Sequence, residues 1–135
     1  MKKLFLDTNF IMDYFVREGF GDPSEQLMSF VDARKYKCYI SFLTVANFAY
    51  ITRKMPANAV RSMIKKMCDA FKVVKNTEDQ ISKALALNAS DFEDALQYRC
   101  AKDAGCDCII TRNQKDFAFS DMPVLSASEY LEKYN

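Results

Sequence analysis

Short apolar runs alternate with amphipathic segments along the whole chain, and this alternation restricts the fold more than any other feature of the sequence. The runs at residues 4–6, 37–41, 71–74, 106–110 and 124–125 have the length and composition of buried β-strands. Strands that alternate with helices favour a right-handed parallel sheet covered on both faces. We therefore predict an α/β fold, a three-layer α/β/α sandwich whose parallel sheet has about five strands.

The segments between these runs carry recognisable helix starts and stops. Capping boxes, in which a hydroxyl side chain and a Glu or Gln three residues later bond each other's backbone, are predicted at residues 77–80, 90–93 and 126–129. Pro56 should end one helix and start the next, and Gly105 should end the helix that begins near residue 90. The remaining helices are predicted around residues 10–15, 22–34 and 43–54.

The chain contains no histidine, and this absence restricts its chemistry. An imidazole base, a Ser-His-Asp triad and a His-ligated zinc are excluded within one chain. Asp, Asn and Thr oxygens remain, and these suit Mg²⁺ or Mn²⁺, which proteins hold through a few carboxylates together with substrate phosphates. The ligand inventory therefore fits phosphodiester chemistry.

Polar side chains follow the first and fourth predicted strands. Asp7 follows the first strand, and Thr111 and Asn113 follow the fourth, with Asp116 three residues further along the loop. If these strands are neighbours in a parallel sheet, their carboxyl ends meet in one crevice. Taken singly, Asp7 can be a simple helix cap, and Asn113 and Asp116 ordinary turn residues. The prediction of a divalent-metal site rests on their convergence.

Three further acids lie at the start of the helix predicted from residue 90. For Asp91 and Glu93 the favoured interpretation is helix capping, where negative charge also suits the helix dipole. Asp94 lies one turn further in, and we predict that it joins Asp7 at the site. Asp13 is expected to be an ordinary exposed helix acid.

Composition adds a few limits. The 135 residues match the size of one domain, and a net charge of +1 gives no global attraction to nucleic acid. The apolar run at the start stops at Asp7, too soon for a signal peptide or a membrane span, so a cytoplasmic protein is expected. The five cysteines lack CxxC pairs and should be reduced and mostly buried. Cys106 and Cys108 would share one face of a strand, which leaves a metal-thiolate or redox role open for them.

Three motifs together resemble the PIN-domain ribonucleases, especially the toxin subunits of VapBC-type toxin-antitoxin modules. They are LDTN at residues 6–9, DFEDA at 91–95, and IITRNQKDF at 109–117, supported by SFLTVA at 41–46 and SASEYL at 126–131. The resemblance covers essentially the whole chain and implies a single PIN-like nuclease domain over residues 1–135.

The resemblance implies a ribonuclease that cleaves RNA through Mg²⁺ or Mn²⁺ held by acidic residues. Asp7, Asp94 and Asp116 carry over as the catalytic, metal-binding carboxylates. The supporting polar residues are expected to be Asn47, Thr8, Asn9, Asp91, Thr111 and Asn113. The basic residues that can supply phosphate contacts are Lys2, Lys3, Arg53, Lys54, Arg61, Lys65, Lys66, Arg112 and Lys115.

The toxin resemblance further implies two protein partners. One is a small antitoxin that covers the site, and the other is a second copy of the chain in a homodimer. The candidate residues for the dimer surface are Phe10, Tyr14, Phe48, Tyr50 and Met55. Aromatic residues at helical spacing are more often simple core, so this alternative stays open.

One departure from the family pattern affects the predicted activity. Many members carry a glutamate six residues after the serine at position 41, where this chain has Asn47. A degenerate PIN domain that binds RNA or a protein without hydrolysis is therefore the alternative function. A phosphohydrolase with Asp7 as nucleophile is disfavoured, because the second acid that such enzymes carry two residues later is here Asn9.

Overall fold

The computed structural model describes residues 2–16, 25, 27–29 and 36–134. Five strands form one sheet in the order β3-β2-β1-β4-β5, and every neighbouring pair is parallel. The strands are β1 (Lys2–Leu6), β2 (Tyr36–Ser41), β3 (Lys72–Val74), β4 (Cys108–Ile110) and β5 (Val124–Leu125). The predicted α/β fold with a five-stranded parallel sheet is confirmed.

Helices connect the strands. They are α1 (Thr8–Phe15), α2 (Phe42–Ile51), α3 (Ala57–Ala70), α4 (Glu78–Leu85), α5 (Phe92–Asp103) and α6 (Ala127–Tyr134), with a 3₁₀ helix at Gln114–Phe117. The helix predicted at residues 22–34 lies mostly outside the described residues. The other helices fall where the sequence predicts them, with ends that differ by a few residues.

The two faces of the sheet bury separate apolar clusters. On β1, Leu4 and Leu6 pack into a larger cluster with α1, α2, α3 and α6, whereas Phe5 points to the opposite face. That second cluster contains Tyr98 of α5 and Phe117 of the 3₁₀ helix. Side chains alternate along a strand, so the continuous apolar run at residues 4–6 of β1 must be covered on both faces. This explains the three layers.

Most of the predicted helix starts are correct, and one is displaced. Thr77 and Gln80 form a reciprocal capping box at α4, and Ser126 and Glu129 bond each other's backbone N–H groups in the same way at α6. The box predicted at residues 90–93 is wrong, because Asp91 is the cap of α5. Its short carboxylate reaches two free N–H groups of the first turn, and the helix therefore begins one residue later.

Two candidates for the dimer surface are wrong. Phe10 and Phe48 are almost fully buried in the larger cluster, where the ring of Phe48 packs edge-on against Phe15. Tyr14 is partly buried against the same cluster, whereas Tyr50 and Met55 are exposed. The α1 and α2 faces that carry Phe10 and Phe48 therefore cover the sheet.

Four of the five cysteines are buried, and Cys68 is exposed. Strand β4 begins at Cys108, so the prediction that Cys106 shares a strand face with it is wrong. Burial raises the pKa of Cys38, Cys106 and Cys108 to about 12, which keeps these thiols protonated. Among the described residues, no helix has both the length and the apolar character needed to cross a membrane.

Candidate active site

The centre of the sheet positions the site. The chain adds β2 and β3 on one side of β1 and then crosses to add β4 and β5 on the other side. Strand order therefore reverses between β1 and β4, and ligands of open parallel sheets bind in the crevice outside such a reversal. Asp7 follows β1 and Thr111 follows β4, and the Asp7 N–H donates to the Ile110 carbonyl at 3.1 Å.

The carboxylate of Asp7 is buried at this crevice, with 8% of the residue exposed. Asp7 occupies the N-cap position of α1, but its side chain makes no capping hydrogen bond. It instead accepts a hydrogen bond from the Thr111 hydroxyl, Oγ1 to Oδ2, at 2.9 Å. The simple capping interpretation of Asp7 is therefore wrong, because the carboxylate faces β4.

Asn9 and Thr111 form a short network around this carboxylate. The side-chain Nδ2 of Asn9 donates to Thr111 Oγ1 at 3.2 Å, and its side-chain Oδ1 accepts from the Arg112 backbone N–H at 3.4 Å. Thr111 Oγ1 also accepts from the backbone N–H of Asn113 at 3.1 Å. The Thr111 hydroxyl lies 2.9 Å from Asp7 Oδ2 and 3.3 Å from Asn9 Oδ1, so Asp7 is the nearer acceptor, and an ionised carboxylate can only accept.

A second network joins α5 to the start of α1. Gln97 is fully buried, and its Nε2 donates to Thr44 Oγ1 at 3.0 Å and to Thr8 Oγ1 at 3.3 Å. The two threonine hydroxyls also bond each other at 3.0 Å. Gln97 lies three residues after Asp94 on α5, so this network holds the turn of α5 that contains Asp94 against Thr8, the residue after Asp7. Sequence analysis missed Gln97, although a polar residue at an inward helix position was the available signal.

The first turn of α5 brings three acids to the crevice. Asp91 is the cap and accepts from the backbone N–H groups of Glu93 at 2.9 Å and Asp94 at 3.4 Å. Glu93, predicted to serve the cap, instead accepts from the side-chain amide of Asn47 at 2.5 Å. Asp94 is partly buried behind them.

The fourth acid, Asp116, lies in the 3₁₀ helix after β4. The buried ring of Phe117 anchors this helix in the smaller apolar cluster, and the Asp116 N–H donates to the Asn113 carbonyl at 3.0 Å. Asn113 precedes this helix without capping it through its side chain. The interpretation of Asn113 and Asp116 as turn residues is therefore correct for their backbone. The carboxylate of Asp116 is exposed.

The charges of these acids act on one another. The pKa of Asp94 is raised to about 7, mainly by burial and to a smaller extent by the carboxylates of Asp91, Asp7, Asp116 and Glu93, in that order. Burial also raises the pKa of Asp7, with smaller increases from Glu93 and Asp116, against the lowering effect of the Thr111 hydroxyl and the Thr8 backbone N–H. Crowded, partly buried carboxylates of this kind attract a cation.

The donor set fits a hard divalent cation. It consists of carboxylate, amide and hydroxyl oxygens, and the buried cysteines lie in the apolar clusters. Over the described ranges, no three acidic or thiol side chains converge closely enough to hold an ion in their present positions. An ion held by three of these acids would require side-chain rotation, and the exposed carboxylates of Glu93 and Asp116 have room to rotate.

Two expectations about charged residues near the crevice need correction. Asp13 is mostly buried at its side chain and pairs with the Arg112 guanidinium, so it is not an ordinary exposed acid. Lys3 and Lys2 lie at the amino end of β1, about 13 Å and about 17 Å from Asp7 at 3.3 Å per residue. They therefore lie at the opposite edge of the sheet from the acids, whereas Arg112 and Lys115 flank the crevice.

Together these features define an α/β domain with an acidic crevice at the reversal point of a parallel sheet. The family model described as PIN domain matches residues 3–115, most of the chain. The chain therefore belongs to the PIN-domain family.

Individual relatives agree with this assignment. The chain is 29% identical to Ribonuclease VapC1 of Aquifex aeolicus (strain VF5) over 140 residues, which cover 99% of this chain and 96% of the relative. The fold is similar to that of VapBC2 from Rickettsia felis bound to a promoter DNA fragment, with a TM-score of 0.74, 14% identity, and 92% and 97% of the two chains covered. A toxin-antitoxin complex from Klebsiella pneumoniae gives a TM-score of 0.69 at 22% identity, with 92% and 97% covered.

Proposed function

We propose that this chain is a metal-dependent ribonuclease whose single nuclease domain spans residues 1–135, and that it is the toxin of a toxin-antitoxin module in the cytoplasm. The observation that carries the proposal is the buried carboxylate of Asp7, held toward β4 by Thr111 among acids from separate elements. The PIN-domain match and the similarity to a VapC ribonuclease support the same activity.

Asp7, Asp94 and Asp116 would hold the cation, Mg²⁺ or Mn²⁺. When bound, such an ion activates a water for attack on the phosphodiester and neutralises charge on the phosphate and the leaving oxygen. Thr111 orients Asp7 through its hydroxyl, and Asn9 orients Thr111.

Other polar residues have supporting positions. Asp91 fixes the first turn of α5, and Gln97 ties that helix to Thr8. Asn113 begins the 3₁₀ helix that carries Asp116. Arg112 and Lys115 are the basic residues closest along the chain to the site, and we assign them the contacts with RNA phosphates.

The test uses purified protein and a mixed pool of tRNA and mRNA, with Mn²⁺, Mg²⁺ or EDTA. Wild type should cut RNA only with metal, and Asp7→Asn should abolish the cutting because it removes the buried charge and keeps the side-chain shape. Glu78→Gln is the matched control, since it removes an exposed acid from the first turn of α4. Cutting that persists in EDTA or in Asp7→Asn would contradict the proposal.

The second candidate is a degenerate PIN domain that binds RNA or a protein without hydrolysis. It is favoured by the neutral amide at position 47. Under this candidate, wild type binds RNA and fails to cut it, and Asn47→Glu gains metal-dependent cutting. Cutting by wild type excludes this candidate.

The proposed partners are an antitoxin and a second copy of the chain. Toxin-antitoxin complexes among the structurally similar proteins support the antitoxin. Co-expression with the product of a neighbouring small open reading frame should give a complex that co-purifies and lacks ribonuclease activity.

The second proposed partner is another copy of the chain. The exposed side chains of Tyr50 and Met55, on and after α2, support a dimer surface there. Light scattering should give a dimer mass for wild type and a monomer mass for Tyr50→Asp.

A further inference from the structure

Position 47 and Glu93 face each other across two helices. Asn47 lies on α2, where many members of the family carry a glutamate, and Glu93 is the second residue of α5. The amide Nδ2 of Asn47 donates to the Glu93 carboxylate at 2.5 Å. An acid contributed by α5 therefore lies within hydrogen-bonding distance of the position where α2 lacks one.

Glu93 has no structural task within its own helix. Asp91 already satisfies the N–H groups of the first turn, including that of Glu93 itself. The carboxylate of Glu93 is exposed, and the Asn47 amide is its hydrogen-bond partner. A carboxylate that bonds one amide keeps acceptor positions for a further donor or a cation.

Glu93 also lies on the face of α5 that meets α2 and the start of α1. Gln97, one turn later on α5, donates through Nε2 to Thr44 of α2 at 3.0 Å and to Thr8, the residue after Asp7, at 3.3 Å. Because residues four apart share one face of a helix, Glu93 and Gln97 contact α2 along the same interface, and Glu93 lies beside the crevice.

We propose that Glu93 supplies the fourth carboxylate of the metal site, in place of the one that position 47 lacks, and that Asn47 holds it there through the amide hydrogen bond. The inference rests on the proposed metal-dependent function. In this arrangement the carboxylate comes from Glu93 on α5, and α2 contributes only the amide of Asn47 that donates a hydrogen bond to it.

Binding of Mn²⁺ alone, followed by electron paramagnetic resonance of the free ion, tests this proposal apart from activity. Glu93→Gln should weaken Mn²⁺ binding by at least about tenfold, a loss typical of removing a polar group beside metal ligands. Glu78→Gln should leave the affinity unchanged, because it removes an acid at the equivalent turn of α4. The double variant Asn47→Glu with Glu93→Gln returns the acid to α2 and should recover most of the lost affinity. Thermal melts in EDTA check that every variant is folded.

The outcomes separate this inference from the proposed function. Equal Mn²⁺ affinity for wild type and Glu93→Gln overturns the role of Glu93 and leaves the metal-dependent function intact. A loss that the double variant does not recover overturns the exchange between positions 47 and 93. Absence of Mn²⁺ binding by wild type overturns the proposed metal-dependent function and this inference together.

Discussion

Substitution of Asp94 by asparagine should stabilise the metal-free fold. The pKa of Asp94 lies at about 7, against 3.8 for an unperturbed side chain, because burial and neighbouring carboxylates oppose its ionisation. At about 1.4 kcal/mol per pKa unit, this difference corresponds to at most about 4 kcal/mol. Asp94 is only partly buried, so solvent screening reduces the penalty to about 2 kcal/mol. Loss of a favourable helix-dipole interaction costs about 0.5 kcal/mol and leaves a net gain of about 1 to 1.5 kcal/mol.

The sign of the pH dependence follows from the raised pKa. Below about pH 4 the Asp94 carboxyl is protonated in both folded and unfolded chains, and it contributes no penalty. Between about pH 4 and pH 7 the unfolded chain ionises first, so this residue lowers the stability of wild type as pH rises. Above about pH 7 the full penalty applies.

Thermal unfolding in EDTA at pH 8 and at pH 4 measures this effect. Asp94→Asn should melt about 4 to 5 °C above wild type at pH 8, given the unfolding entropy of a chain this size. The gain should disappear at pH 4, and Glu78→Gln should gain nothing at either pH. A melting temperature at or below that of wild type at pH 8 would refute the electrostatic reasoning.

Three further predictions concern the residues around the crevice. Saturating Mn²⁺, at about 100 times its dissociation constant, should stabilise wild type by about 2.7 kcal/mol and leave Asp7→Asn unchanged in thermal melts. Equal stabilisation of both would locate the ion elsewhere. Gln97→Ala should lower the free energy of unfolding in urea by about 2 to 3 kcal/mol, whereas Gln97→Met, which fills the volume and removes the unpaired Oε1, should lose about 1 kcal/mol or less. Equal losses would show that the hydrogen bonds outweigh the cavity. Thr111→Val should cost about 1 to 2 kcal/mol at pH 8 by removing the side-chain donor of the Asp7 carboxylate, and Thr111→Ser should retain stability. A valine variant as stable as wild type would contradict this role of the hydroxyl.

The order and type of the elements could be predicted from the sequence because they depend on local interactions. The apolar run of β1, the capping box at Thr77 and the helix-ending glycine at position 105 each act within a few residues. The displaced start of α5 shows the limit of such patterns. Ser90 and Asp91 are both good caps, and the geometry of one turn decided between them.

The candidate site could be predicted only in part. The convergence depended on the condition that the first and fourth strands are neighbours, and the structure meets this condition because β1 pairs with β4. The metal-binding roles of Asp7, Asp94 and Asp116 stay predictions. Local sequence gave no sign that Glu93 faces Asn47, since both residues have ordinary interpretations on their own helices.

By itself, the sequence determined an α/β chain with oxygen ligands and no imidazole, because periodicity and composition are properties of short segments. The tertiary structure decided that Asp7 turns toward Thr111, 104 residues away, and that Gln97 reaches Thr44 in the core. It also buried Phe48, which helical spacing alone left as a surface candidate. The physical reason is that each of these outcomes depends on which faces of distant elements pack together, and burial changes the energy of a carboxylate or an amide far more than its sequence neighbours do.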